Sequence, residues 1–180
     1  MNREKKIVLA THCLLNVNAK VYGIANAKGG SNLIGELIAK GYGIIQLPCV
    51  EMAMYGSQRW GIVYEQNDFP AFREKCAELL KPIVYQVVDY AKHGYKISAV
   101  IGADYSPTCA VNITPKGDWG GEFIELNPYQ KKIENLRVEK GMGVMMEELN
   151  KLISANNIET NFYAINEMDL QSYQEILNVL

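Results

Sequence analysis

The chain has 180 residues, 48% hydrophobic and 21% charged, with a formal net charge of −2. That length suits a single domain spanning 1–180, which buries about 70% of its unfolded surface and needs no disulfide or structural metal to fold. The near-neutral balance offers no broad electrostatic footprint for a nucleic-acid backbone or an anionic membrane.

The charged N-terminus runs into Ile7-Val8-Leu9-Ala10, an apolar run too short for a signal-peptide core or a membrane span. The expectation is therefore a cytoplasmic protein with no membrane partner. Its four cysteines then read as metal ligands, catalytic groups or core residues rather than a disulfide framework. Lys6 to Thr11 reads as a buried strand, followed by an Asn- and Gly-rich loop from Asn16 to Gly30. Ser31 or Asn32 can cap a helix through Lys40, with Leu33, Leu37 and Ile38 on one face and Gly41 at its end. Gly43 to Leu47 reads as a second strand, stopped by Pro48.

Asp68 can cap a long helix with Pro70 in its first turn. Its apolar stripe runs through Phe72, Cys76, Leu79, Leu80, Val84, Val87, Val88 and Ala91. Pro82 should bend or split this helix, and Gly94 closes it. Lys96 to Gly102 is a third strand. The Gly-, Pro- and Asn-rich stretch from Ala103 to about Pro128 is too long for a simple connection, so it is expected to be functional or to carry local structure. Gly143 to Ile153 reads as a helix, Thr160 to Ile165 as a fourth strand, and Asp169 as the cap of a terminal helix from Leu170 to Leu177. Strands alternating with helices predict a three-layer, Rossmann-like α/β domain with a mostly parallel sheet covered on both faces. Strand order is not legible from this pattern.

Cys13, Cys49 and Cys109 each follow a predicted strand. In a parallel sheet those strand ends share one edge, and ligands bind in the crevice outside it. Residues far apart in sequence can therefore meet there. Cys76 instead falls on a helix stripe and reads as a small core residue. Three thiolates admit a zinc site completed by His12 or water, or a [4Fe–4S] cluster with one iron open to substrate. No cysteine pair has CxxC spacing, so three separate thiols remain a third possibility.

At these cysteines the sequence resembles the TudS family of thiouracil desulfidases. The resemblance runs through Thr11-His12-Cys13-Leu14-Leu15-Asn16 with Lys20-Val21-Tyr22-Gly23, through Leu47-Pro48-Cys49-Val50-Glu51 with Gly56-Ser57-Gln58-Arg59, and through Tyr105-Ser106-Pro107-Thr108-Cys109-Ala110. All three motifs occur in the family's order and together cover about the first two thirds of the chain. Lys20-Val21-Tyr22-Gly23 stands where the family has Arg-Tyr-Asp-Gly, Ala110 replaces a glycine, and the segment from Thr114 to Glu125 has no evident counterpart. The pattern is that of a divergent relative whose substrate need not be thiouracil.

The resemblance implies a [4Fe–4S] cluster held by Cys13, Cys49 and Cys109, and removal of sulfur from a thiolated small molecule, C=S to C=O, without external electrons. Glu51 is the first candidate for a base that activates water. Ser106 and Asp104 are candidates to position that water or to share the base role, and His12 to move protons. Arg59 could grip an anionic substrate or balance the thiolates. Tyr105, Trp60 and Trp119 could stack on a planar base. The rival readings are a metal-binding sensor or sulfur carrier, a cysteine-thiolate enzyme with His12 as base, and phosphate binding at Gly29-Gly30-Ser31. Rossmann and Walker glycine patterns are both absent. Oligomeric state and substrate identity are not legible.

Overall fold

A computed structural model describes residues 3–122, 126–169 and 171–180. The expected helix start at Leu170, the end of the 114–125 segment (Phe123, Ile124 and Glu125), Met1 and Asn2 lie outside the described residues. In chain order the elements are β1 (Lys6–Ala10), α1 (His12–Leu15), α2 (Asn32–Ala39), β2 (Tyr42–Gln46), α3 (Val50–Tyr55), α4 (Tyr64–Asn67), α5 (Pro70–Lys92) and β3 (Lys96–Ala103). They continue with β4 (Ile113–Lys116), α6 (Leu126–Glu134), β5 (Arg137–Lys140), α7 (Val144–Ala155), β6 (Asn161–Ile165) and α8 (Gln171–Val179).

Four strands form one parallel sheet in the order β2-β1-β3-β6, and β4 pairs with β5 in a separate antiparallel ribbon. That ribbon is the local structure expected inside the long stretch after β3. In β1, Ile7 and Leu9 face a core shared with α5 and α7, while Val8 and Ala10 face a second core with α2 and α8. This is the period-two alternation of a strand buried on both faces. β3 breaks the period. Its register against β1 slips between Ile7 and Val8, where the partner jumps from Ile97 to Ala99. The extra residue, Ser98, lets Ile97 and Val100 lie on the same face.

The helix boundaries follow local chemistry. Ser31 accepts from the Leu33 N–H at 3.3 Å and caps α2. Asp169 accepts from the Gln171 N–H at 2.9 Å and caps α8. Two expectations for α5 are corrected. Its N-cap is Phe69, because Asp68 closes α4 and pairs instead with Arg73. Pro82 does not split it: α5 runs unbroken for 23 residues. Pro82 and Glu78, whose carbonyl loses its helical donor, are both exposed, so water can satisfy that group. The buried stripe Phe72, Cys76, Leu80, Val84 and Val87 holds both halves against the sheet.

All four sheet strands end on one edge, with Ala10 paired to Gln46 and to Ile101, and Ala103 paired to Ile165. The chain leaves β1 for β2 on one side and returns to β3 on the other. This reversal makes a crevice beyond the carboxyl ends of β1 and β3, the usual ligand position in an open α/β sheet. Among the described residues no helix is long and apolar enough to cross a membrane.

Candidate functional site

The crevice is a cavity of about 370 Å³, and Cys13, Cys49 and Cys109 all line it. Cys13 lies in α1, just past β1. Cys49 occupies the N-cap position of α3, just past β2. Cys109 follows β3 on a loop pressed against the sheet, where the Ala103 N–H donates to the Cys109 carbonyl at 3.0 Å. A Cβ on Gly102 would come within 2.4 Å of that carbonyl oxygen, so glycine is what allows the approach. The far side of the loop rests on the start of α7, where the Val144 and Met145 N–H groups donate to the carbonyls of Pro107 and Thr108 at 3.0 and 3.1 Å. Cys76 sits apart, fully buried in the core beneath α5.

Burial pushes the Cys13 thiol up to about 11, while the Lys20 charge and the Thr11 hydroxyl pull the other way. Burial also raises Cys49, against N–H groups of Met52 and Glu51 at the start of α3 and the nearby Arg59 guanidinium. Cys109 is raised well above the ordinary thiol range by burial, then by the negative charges of Cys13, Glu51 and Cys49, with the Ser106 hydroxyl opposing. The three sulfurs are thus close enough for ionisation of one to oppose ionisation of the others. A cationic metal core would relieve that repulsion and displace the protons. These upward shifts run opposite to the lowered pKa of an activated nucleophilic cysteine.

Among the described residues, no group of three or more His, Cys, Asp or Glu side chains is arranged to hold a metal ion. The donor set, three cysteines lining one cavity, is of the type that holds zinc or an iron–sulfur core.

Glu51 lies in the first turn of α3 and is buried. Its Oε2 accepts from Arg59 Nε at 3.0 Å, and its Oε1 accepts from the buried Thr108 hydroxyl. Thr108 in turn accepts from Asn67 Nδ2 at 2.9 Å. Arg59 spends its other nitrogens on the carbonyls of Gly56 and Ala19, at 3.2 and 2.7 Å. It braces these segments with three of its five N–H donors and also lines the cavity. Asp104 lines the cavity, but its Oδ1 accepts from the N–H groups of Val111, Asn112 and Ile113, and its Oδ2 from the Asn112 side chain. Ser106 Oγ accepts from the N–H groups of Thr108 and Cys109, at 3.3 and 3.0 Å, and so fixes the cysteine turn.

His12 reaches the cavity wall with its Nδ1 tied to Gln46 Nε2, and burial lowers its pKa. Tyr105 has a left-handed backbone, φ 65°, and is half exposed at the cavity. Trp60 is 75% exposed, and Trp119 donates to the Gly61 carbonyl at 3.0 Å. Gly29-Gly30-Ser31 is taken up by structure: the Gly29 carbonyl accepts from the Val17 N–H, and a Cβ at Gly30 would meet the Leu15 carbonyl at 2.9 Å. Two further charged residues line the cavity: Lys20, which stands in the Lys20-Val21-Tyr22-Gly23 motif, and Glu167, which lies in none. Lys20 and Glu167 form an ion pair there. Glu167 lies two residues beyond β6, the fourth strand ending on this edge, and that position was its one signal in the sequence.

No family model matches the chain. It is 36% identical over 156 residues to "Uncharacterized protein MJ0003" of Methanocaldococcus jannaschii, covering 84% of this chain and 99% of that protein. The chain belongs to the family of that Methanocaldococcus protein. A solved structure of a [4Fe-4S]-dependent thiouracil desulfidase, TudS, aligns with a TM-score of 0.48 and 19% identity, over 97% of this chain and 99% of that one.

Proposed function

We propose that this protein is a desulfidase, a divergent relative of the thiouracil desulfidases, that removes sulfur from a thiolated small molecule. In this reading Cys13, Cys49 and Cys109 hold a [4Fe–4S] cluster with one iron free of cysteine. The observation that carries it is the gathering of these three cysteines around one cavity while the fourth is buried elsewhere in the core. The three motifs that surround them support the same ligand set. When bound, such a cluster would supply a Lewis-acidic iron for a soft sulfur atom.

The chain's own residues supply the remainder. The overall change turns a thiocarbonyl and one water molecule into a carbonyl and hydrogen sulfide. A C–O bond forms from water, the C–S bond breaks, both water protons leave with sulfide, and no electrons are exchanged. Glu51 is the proposed base. Each of its oxygens already accepts one hydrogen bond and keeps a lone pair with which to take a proton from water. Arg59 and Thr108 hold that carboxylate in place. Ser106 holds the Cys109 turn, and Asp104 the loop that follows it. The apolar walls formed by Val21, Ile24, Ile62 and Pro107 limit the water present.

The test is sulfide release from 2-thiouracil, 4-thiouracil and thioacetamide by anaerobically prepared, iron-loaded protein. The expected result is sulfide and oxo product in equal amounts with no added reductant. Glu51→Gln is expected to keep its iron and lose turnover. Release that depends on a reductant, or no release from any of the three compounds, contradicts the proposal.

A further inference from the structure

The carboxylate proposed as base is the inner end of a longer chain of hydrogen bonds. Tyr55 lies one turn after Glu51 on the same face of α3. Its ring stacks on the buried Phe72, with centroids 6.0 Å apart. Its hydroxyl donates to Asn67 Oδ1 at 3.1 Å. Asn67, the last residue of α4, is fully buried. Its Nδ2 donates to Thr108 Oγ1 at 2.9 Å, and Thr108 donates to Glu51 Oε1. These side chains join both ends of α3 to α4 and to the loop that carries Cys109.

Chemistry gives this chain one direction. A carboxylate only accepts, so the single hydroxyl proton of Thr108 goes to Glu51. The other partner of the Thr108 oxygen must then be a donor, and the Asn67 amide has to present its NH2 there. That leaves Oδ1 facing Tyr55, which must donate. Burial and then the Glu51 charge hold the Tyr55 phenol above its ordinary value, so it keeps the proton it gives. An apolar side chain at position 67 could pack α4 against the loop. What the amide adds is the orientation of the Thr108 hydroxyl, whose oxygen is otherwise buried without a donor.

We propose that Asn67 is a positioning residue for Glu51, acting through Thr108, with Tyr55 as its outer anchor. This rests on the reading of Glu51 as the base. Arg59 fixes Oε2 of that carboxylate and Thr108 fixes Oε1, so the group cannot turn on its stem. Glu51 and Thr108 line the cavity, whereas Asn67 and Tyr55 do not. Their effect on the reaction therefore runs through the other two.

The experiment combines sulfide-release kinetics with denaturant unfolding of the full-length protein. The kinetics use iron-loaded protein and whichever of 2-thiouracil, 4-thiouracil and thioacetamide it turns over. Asn67→Leu and Thr108→Val are each expected to lower kcat per bound iron about tenfold or more, with KM unchanged within about twofold. Thr108→Ser, which keeps the hydroxyl, should recover most of the loss. A side chain that merely tied α4 down would change stability and leave the kcat of the folded, iron-loaded protein alone. In unfolding, the midpoint shifts of Asn67→Leu and Glu51→Gln should sum to more than the double variant loses, because both break the same chain.

If circular dichroism shows that Asn67→Leu does not fold, Tyr55→Phe carries both tests from the outer end, with kcat lowered about threefold or more. A kcat for Asn67→Leu within about twofold of the unaltered value, or additive midpoint shifts, would overturn the proposal. Full sulfide release by Asn67→Leu removes the positioning role and keeps the desulfidase reading. No release by the unaltered protein from any of the three compounds removes the desulfidase reading, and the unfolding comparison then decides by itself whether Asn67 holds Glu51.

Discussion

Replacing Glu51 by Gln removes one charge from a pair whose side chains are 9% and 6% exposed. Breaking a buried ion pair by removing one partner costs about 3–5 kcal/mol, because the other charge stays behind. Two features reduce that figure here. Arg59 keeps the carbonyls of Gly56 and Ala19 as acceptors, and glutamine still offers Nε one oxygen. Its amide nitrogen must then face Thr108, whose hydroxyl proton loses its acceptor. The expected loss is about 2–3 kcal/mol, or roughly 4–12 °C in Tm for a domain of this size. Thermal and denaturant unfolding would measure it. Arg59→Met should cost a similar amount, and the double variant should cost less than the sum of the two by about 1.5 kcal/mol or more. A loss below about 0.5 kcal/mol, or simple additivity, would refute the reasoning that this pair is desolvated and mutually dependent.

Gly102→Ala should destabilise the protein by about 1–3 kcal/mol and expose the Cys109 loop to alkylation, since the new methyl group meets backbone at 2.4 Å. Gly35→Ala, on the exposed side of α2 with nothing within 4 Å, should stabilise by about 0.5–1 kcal/mol. Denaturant midpoints of the two variants should therefore move in opposite directions. Burial pushes the Cys76 thiol up to about 12. A raised folded value means that the unfolded chain loses this proton first. The associated stability is full below about 9 and is lost as pH rises through about 12. Cys76→Ala should flatten the alkaline fall in stability, and iodoacetamide at pH 9 should label Cys76 only on unfolding; rapid labelling of the folded chain would contradict its burial.

Periodicity carried most of the fold. β1, α2, β2, β3 and β6 lie within about a residue or two of their expected bounds, because short apolar runs and Ser/Gly punctuation are local signals. Strand order was not legible, since it depends on which helices pack across which face. The two errors at α5 have the same origin: Asp68 is drawn off by Arg73, and Pro82 falls on a face where water can serve the orphaned carbonyl. At the site, the rule that loops after parallel strands share an edge placed the cysteines, Glu51, Ser106, Asp104, Tyr105 and His12 around one cavity. It could not foresee their partners. Arg59 is drawn into a buried pair by Glu51 and Ala19, and Asp104 is taken up by three backbone amides. Both outcomes depend on loop conformation rather than residue type. Glu167 was missed because no motif surrounds it.

The most direct test of the three-cysteine centre is iron and acid-labile sulfide analysis of anaerobically prepared protein, unaltered and as four single Cys→Ala variants. About four irons and four sulfides per chain are expected for the unaltered protein and for Cys76→Ala, with loss of the visible absorption in Cys13→Ala, Cys49→Ala and Cys109→Ala. One zinc per chain, or equal retention of iron in all four variants, would contradict it.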